Sequence, residues 1–200
     1  MSLNTSDPRQ IDLALAGLDA RRSVPPKQLG EPAPDPDTLL RMLQSAVRVP
    51  DHGKRVPFRF LSFRGDARHA FGERLAARSR ERDPGASEAV FEKDRSRFSH
   101  APLVVAVIAV LGPDEKIPES ERFSTASCVC LTLLQAAQAL GFAGIWLTGW
   151  LAYDEEVARW LGLAGHERVV GYIHLGTAKL DAPERDRPDP RELLTEWTPS

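Results

Sequence analysis

Two hundred residues, 42% hydrophobic and 27% charged, suit one globular domain able to bury a real core. A formal net charge of −2 gives no bulk field for nucleic acid or an anionic membrane. The longest apolar run, Leu103 to Leu111, is nine residues and too short to span a bilayer; the opening MSLNTSDPRQ lacks the basic and apolar regions of a secretory leader, so a reducing cytoplasm is expected.

Asp7-Pro8 reads as a helix start, a capping carboxylate followed by proline at the first helical position. Ile11, Leu15 and Leu18 then form one stripe of a helix running to about Arg21. After the proline-rich VPPKQLGEPAPDP, Asp35-Pro36 repeats the signal, and Leu39, Leu43, Ala46 and Val47 mark a second helix that Pro50 stops. Phe58 to Gly65 reads as a strand, with Asp66 capping a helix to about Arg80 and a further helical piece from Ser87 to Phe98. Arg64 to Phe98 carries nine Lys/Arg against seven Asp/Glu, a solvated face of mixed charge.

PLVVAVIAVLG is a strand expected to be buried on both faces. Residues 121 to 140 form a long helix, nearly apolar all round from Ala126, that belongs in the core or at an interface, and Gly141 ends it. GIWLTGW is a short strand and turn, Asp154 to Leu161 a helix, and RVVGYIHLGTA the last strand. The tail 181–200 is proline-rich and charged and is expected to wrap over a surface. The layout predicts an α+β, three-layer arrangement in one domain, with a core of about residues 11–180. Cys128 and Cys130, two apart on a helix, do not face each other and are expected to be buried free thiols. No G-x-G-x-x-G, P-loop, G-x-S-x-G or H-E-x-x-H is present, so nucleophile and metal chemistry have no anchor and no metal ligands are assigned.

Chemistry concentrates elsewhere. Arg21, Arg22 and Ser23 close the first helix, and two guanidinium groups beside a hydroxyl suit a phosphate, although cations at a helix C-terminus are also favoured by its dipole. RVPDHG (Arg48 to Gly53) ends the second helix with a cation and an imidazole; His52 could equally bond a turn carbonyl, and Asp51 could pair with Arg48. Two cationic helix exits separated by one loop and one helix are best explained by a shared anionic ligand. In GFAGIWLTGW, Gly141, Gly144 and Gly149 would let backbone approach a flat ligand, with Trp146 and Thr148 offering a plane and a hydroxyl.

The set ARRSV, RVPDHGKRVPFRF, QALGFAGIWLTG and VVGYIHLGTAK, in that order over about Ile11 to Lys179, resembles the nitroreductase family, and within it the small bacterial NAD(P)H nitroreductase subgroup. The resemblance implies a three-layer α-β-α fold with a mixed or antiparallel central sheet, and an interlocked homodimer holding FMN in clefts at its interface. Arg21, Arg22 and Ser23 would bind the FMN phosphate, ribityl and ring edge. Arg48 and His52 would contact the flavin from either subunit, and Trp146, Leu147 and Thr148 would lie along its ring. Ala136, Ala137, Gln138, Ala139, Leu140 and Gly141 match a region associated with NADH or NADPH. Relatives in the subgroup tend to carry a basic residue where Leu147 stands, which bears on the acceptor, and the basic Gly53-Lys54-Arg55 would favour an anionic substrate or a 2′-phosphate. The implied activity is ping-pong hydride transfer from NAD(P)H to FMN and on to a nitroaromatic or quinone-like acceptor. A specialised flavin-dependent dehydrogenase or dehalogenase, a flavin-storage protein and a plain dimeric interaction protein are the alternatives.

Overall fold

The computed structural model describes residues 8–199, so the Asp7 cap expected for the first helix lies outside the described residues. Helix α1 (Pro8–Asp19) leads into a 3₁₀ turn and the short strand β1 (Leu29–Gly30). Helix α2 (Pro36–Ala46) follows, its start fixed by the Asp35 carboxylate, which accepts the Thr38 amide at 2.8 Å. Strand β2 (Phe58–Arg64), helices α3 (Asp66–Arg82) and α4 (Glu88–Ser96), strand β3 (Leu103–Val110) and helix α5 (Glu119–Ala139) come next. Strand β4 (Ala143–Leu147), helix α6 (Glu155–Trp160), strand β5 (Glu167–Ala178) and helix α7 (Pro190–Leu193) complete the order. Asp66 does not cap α3. Gly65, at φ 50, holds the cap position without a side-chain bond, and Asp66 sits in the first turn, where its charge still favours the helix dipole.

Every strand pair is antiparallel: β2 with β3, β3 with β5, and β5 also with β4 and β1. Alternation along β3 explains why this strand is apolar throughout. Leu103, Val105, Val107 and Ala109 face a core built with Met42 and Ala46 of α2 and Ala126, Val129, Cys130, Leu133 and Ala137 of α5. Val104, Ala106 and Ile108 face the opposite core, formed with Phe71 and Leu75 of α3, Phe98, Leu151 and Val157 of α6. The protein is therefore a three-layer α+β fold of the kind expected, with helices on both faces of the sheet. Burying Leu133 at 0% exposure is worth about 2–5 kcal/mol against alanine.

Register breaks at one place that matters. Val107 pairs with Gly171 and Ile108 with Val169, leaving Val170 as an extra residue in a β-bulge. The bulge lets Val170 join the α5-side core while its neighbour Val169 faces the other.

The thiols divide. Cys130 is buried, and burial pushes it up to about 12, whereas Cys128 is exposed rather than buried. The reason is that α5 covers the sheet with one face only. Leu131 and Leu140 remain 44% and 45% exposed on its outer side, and α1 buries no residue, leaving Ile11, Leu15 and Leu18 open. Gln138 Nε2 holds α1 to α5 by donating to the Gly17 carbonyl at 2.7 Å. No helix among the described residues is long and apolar enough to cross a membrane.

Candidate functional site

A cleft of about 450 Å³ brings together Arg21 and Ser23 from the exit of α1, Trp146 from β4 and Thr148 just past it, and Leu131 and Leu134 from α5. Four of the residues singled out in the sequence thus converge from segments more than a hundred positions apart. Arg21 Nη1 donates to Ser23 Oγ at 3.2 Å, which turns the guanidinium over the hydroxyl at the cleft. Val24 donates its amide to the Gly144 carbonyl at 3.1 Å, and this bond fastens the loop to the start of β4.

Trp146 owes its place to the bulge. Its indole N–H donates to the Val170 carbonyl at 3.3 Å, and the ring lies against Gly171, where a Cβ would come within 1.9 Å of Nε1. Any side chain at 171 would expel the indole. Gly144 has a structural explanation of the same kind: a Cβ there would stand 2.8 Å from the His174 carbonyl oxygen. Its lack of a side chain serves the packing of β4 on β5.

Arg22 turns the other way. It donates to the carbonyls of Asp19 and Arg21, pairs with Glu184 of the tail, and borders a neighbouring hollow of about 330 Å³ with Val24, Gln138 and Leu180. Of the six residues at the end of α5, Ala136 and Ala137 pack into the core, while Gln138, Ala139, Leu140 and Gly141 offer surface. Leu147, the last residue of β4, is half-buried.

The RVPDHG element stands apart from this cleft. His52 Nδ1 lies 2.8 Å from Glu121 Oε2, and the pair borders a hollow of about 360 Å³ with Ser120, Ser124, Thr125 and Cys128. Arg48 is exposed and lines neither cleft, and its side chain makes no ion pair or hydrogen bond among the described residues. The Asp51 carboxylate does not pair with Arg48; it accepts the amides of Arg55 and Val56 at 3.1 and 2.8 Å. Glu121 carried no signal that sequence reasoning could use, and Asp51 and Cys128, though noticed in the sequence, gain these places only from their neighbours.

Both hollows lie along the outer side of α5, one against Glu121 to Cys128, the other against Leu131 and Leu134. Glu121 and Leu131 are about 15 Å apart at 1.5 Å per helical residue. Among the buried groups, burial pushes His174 of β5 down to about 4, with Arg97 and His100 reinforcing the shift, and its Nδ1 has no hydrogen-bond partner.

The fold and cleft can now be set beside known proteins. The Nitroreductase family matches residues 18–177, and the chain belongs to that family. It is 32% identical over 183 residues to the Escherichia coli K12 protein named "Putative NAD(P)H nitroreductase YdjA", covering 91% of this chain and 98% of the relative. A Desulfovibrio desulfuricans structure described as "a putative nitroreductase in complex with fmn" superposes with a TM-score of 0.71 at 21% identity, over 92% of this chain and 97% of that one. Nitroreductase CinD of Lactococcus lactis, in complex with 4-nitrophenol, superposes with a TM-score of 0.72 at 17% identity, over 92% and 100% of the chains. These last two likenesses establish the fold.

Proposed function

We propose that the protein is a homodimeric, FMN-dependent NAD(P)H oxidoreductase that reduces a small nitroaromatic or quinone-like acceptor. The observation that carries this reading is the single cleft joining Arg21, Ser23, Trp146 and Thr148. A guanidinium and a hydroxyl at one end suit a phosphate or a ring carbonyl, and the apolar wall of Leu131, Leu134 and Trp146 suits a flat ring. The residues present fit FMN. When bound, FMN supplies the acceptance of hydride from NADH or NADPH and its delivery to an acceptor, in alternating steps. The protein's part is to bind and orient: Arg21 and Ser23 hold the polar end, Trp146 and Thr148 flank the ring with Leu147, and Arg22 braces the loop through Glu184. Gln138, Ala139, Leu140 and Gly141 border the approach of the nicotinamide nucleotide.

A second copy completes the site. In a twofold arrangement with α5 against α5, the Glu121 end of one protomer meets the Leu131 end of the other, so Arg48 and His52 would reach the partner's cleft. The open apolar residues of α1, with Leu131 and Leu140 of α5, supply the surface that such an interface would cover. One domain covering the whole chain, working in the cytoplasm, is consistent with this reading.

The test is an absorbance spectrum of the purified protein, followed by anaerobic NADPH and then 4-nitrophenol. Flavin bands that bleach with NADPH and return with the acceptor are expected. Flavin that stays oxidised would leave a storage protein, and a colourless protein that gains no thermal stability from FMN would end the flavin reading.

A further inference from the structure

The loop from Pro50 to Val56 holds a concentration of backbone strain. Gly53 has φ 69, where glycine is at ease, but Lys54 follows at φ 51 and Val56 at φ 48. A β-branched residue in the left-handed region crowds its own backbone, and such a conformation persists only where the surroundings over-determine it. Three contacts fasten this loop to α5 and its approach. Thr125 Oγ1 donates to the Pro50 carbonyl at 3.1 Å, and His52 meets Glu121, one helical turn before Thr125. Arg55 Nε donates to Asp114 at 2.6 Å, and the same carboxylate accepts the amides of Lys116 and Ile117 just ahead of the helix. With both ends fastened, the chain must reverse within a few residues.

The Asp51 carboxylate closes that reversal from inside. One oxygen accepts the Arg55 amide at 3.1 Å and the other the Val56 amide at 2.8 Å, both charge-assisted bonds that the relaxed, extended chain could not make together. Of the strained residues, Lys54 lies between the clamp and its partners and Val56 is itself one of them. The outcome is an exposed imidazole, 64% accessible at its side chain, held at the edge of the hollow containing Ser124 and Cys128.

We infer that Asp51 is a positioning residue whose carboxylate clamps the strained Gly53–Val56 turn and so presents His52 to the flavin site of the partner subunit. The inference rests on the shared-site reading above. Asp51 touches neither cofactor nor acceptor; it acts through His52. The strain makes a specific demand. If the clamp serves to hold Val56 at positive φ, glycine at 56 removes most of what the clamp must overcome.

The experiment compares wild type with Asp51→Ala, Val56→Gly and the double variant by two readouts. The first is the position of the His52 ring C–H resonances by NMR on the protein without added ligand; the second is the FMN dissociation constant by fluorescence quenching. Asp51→Ala is expected to move the His52 resonances and to weaken FMN about tenfold, since only part of the lost clamp reaches the cofactor through His52. Val56→Gly alone is expected to stay close to wild type, and the double variant to recover most of the loss in both readouts. An Asp51→Ala protein with wild-type resonances and wild-type affinity would overturn the inference. So would a double variant no better than Asp51→Ala, because the carboxylate would then act by charge. A wild type that does not bind FMN would end the flavin reading, while the NMR comparison would still decide the clamp.

Discussion

The two halves of the candidate site are built by different means. The Arg21–Trp146 half is set into the packed body of the fold: β4 pairs with β5, Val24 is bonded to Gly144, and the indole is fitted against Gly171. The His52 half is a surface loop held by a few polar contacts around a strained turn. Packing over-determines the first half, so single polar bonds there matter little to its shape. The second half has no core of its own, and each bond carries a large share of its order. A surface loop of this sort suits a group offered to a partner, and a packed cleft suits the seat of a rigid ligand.

The sharpest break of this comparison asks whether the halves work across subunits. Arg21→Ala and His52→Ala should each bind FMN poorly alone. In a reassembled one-to-one mixture, half of the dimers pair one variant with the other, and each such dimer regains one intact site of two. FMN binding should therefore return to about a quarter of wild type, counted by flavin absorbance after gel filtration. No recovery would place both halves in one chain. Next in size is Gly171→Ala, which should displace the Trp146 indole and cost about 2–3 kcal/mol in urea denaturation, with a red-shifted tryptophan emission. An unchanged midpoint would mean that β5 yields more readily than its packing suggests.

A pH slope arises away from both halves. His174 is held at about 4 in the folded protein against about 6.5 unfolded, so the unfolded chain takes up its proton first as pH falls. Its share of stability is whole above about pH 6.5 and is lost as pH drops towards about 4. Asp114 and Glu167, both held near about 2, act in a lower window, losing stability as pH falls from about 4 to about 2. Replacing His174 with leucine should reduce the slope of the urea midpoint between about pH 6.5 and 4 and leave the lower window in place, the rest of the slope coming from His100, which burial also holds low.

Element types were legible wherever local signals were strong. Asp35-Pro36 started α2 as read, β3 was buried on both faces, and the long helix ended at its glycine. The Asp66 cap failed because Gly65 could take a positive φ and so held the cap position itself. Cys128 was misplaced because apolar composition does not say which side of α5 meets the sheet. The cationic exits were visible as residue types, but the division between Arg21, turned to the cleft, and Arg22, turned to the tail, depends on Glu184, far along the chain.

By itself, the sequence determined the periodicities, the helix stops, the family and the kinds of group available for binding, because those depend on neighbours within a few residues or on motifs kept in order. Only the tertiary structure decided which of those groups meet. The Val170 carbonyl anchors the Trp146 indole, the Asp51 carboxylate holds the Arg55 and Val56 amides beside His52, and the outer side of α5 keeps Leu131 exposed. Such choices rest on hydrogen bonds and close packing between distant segments, and no local propensity encodes them.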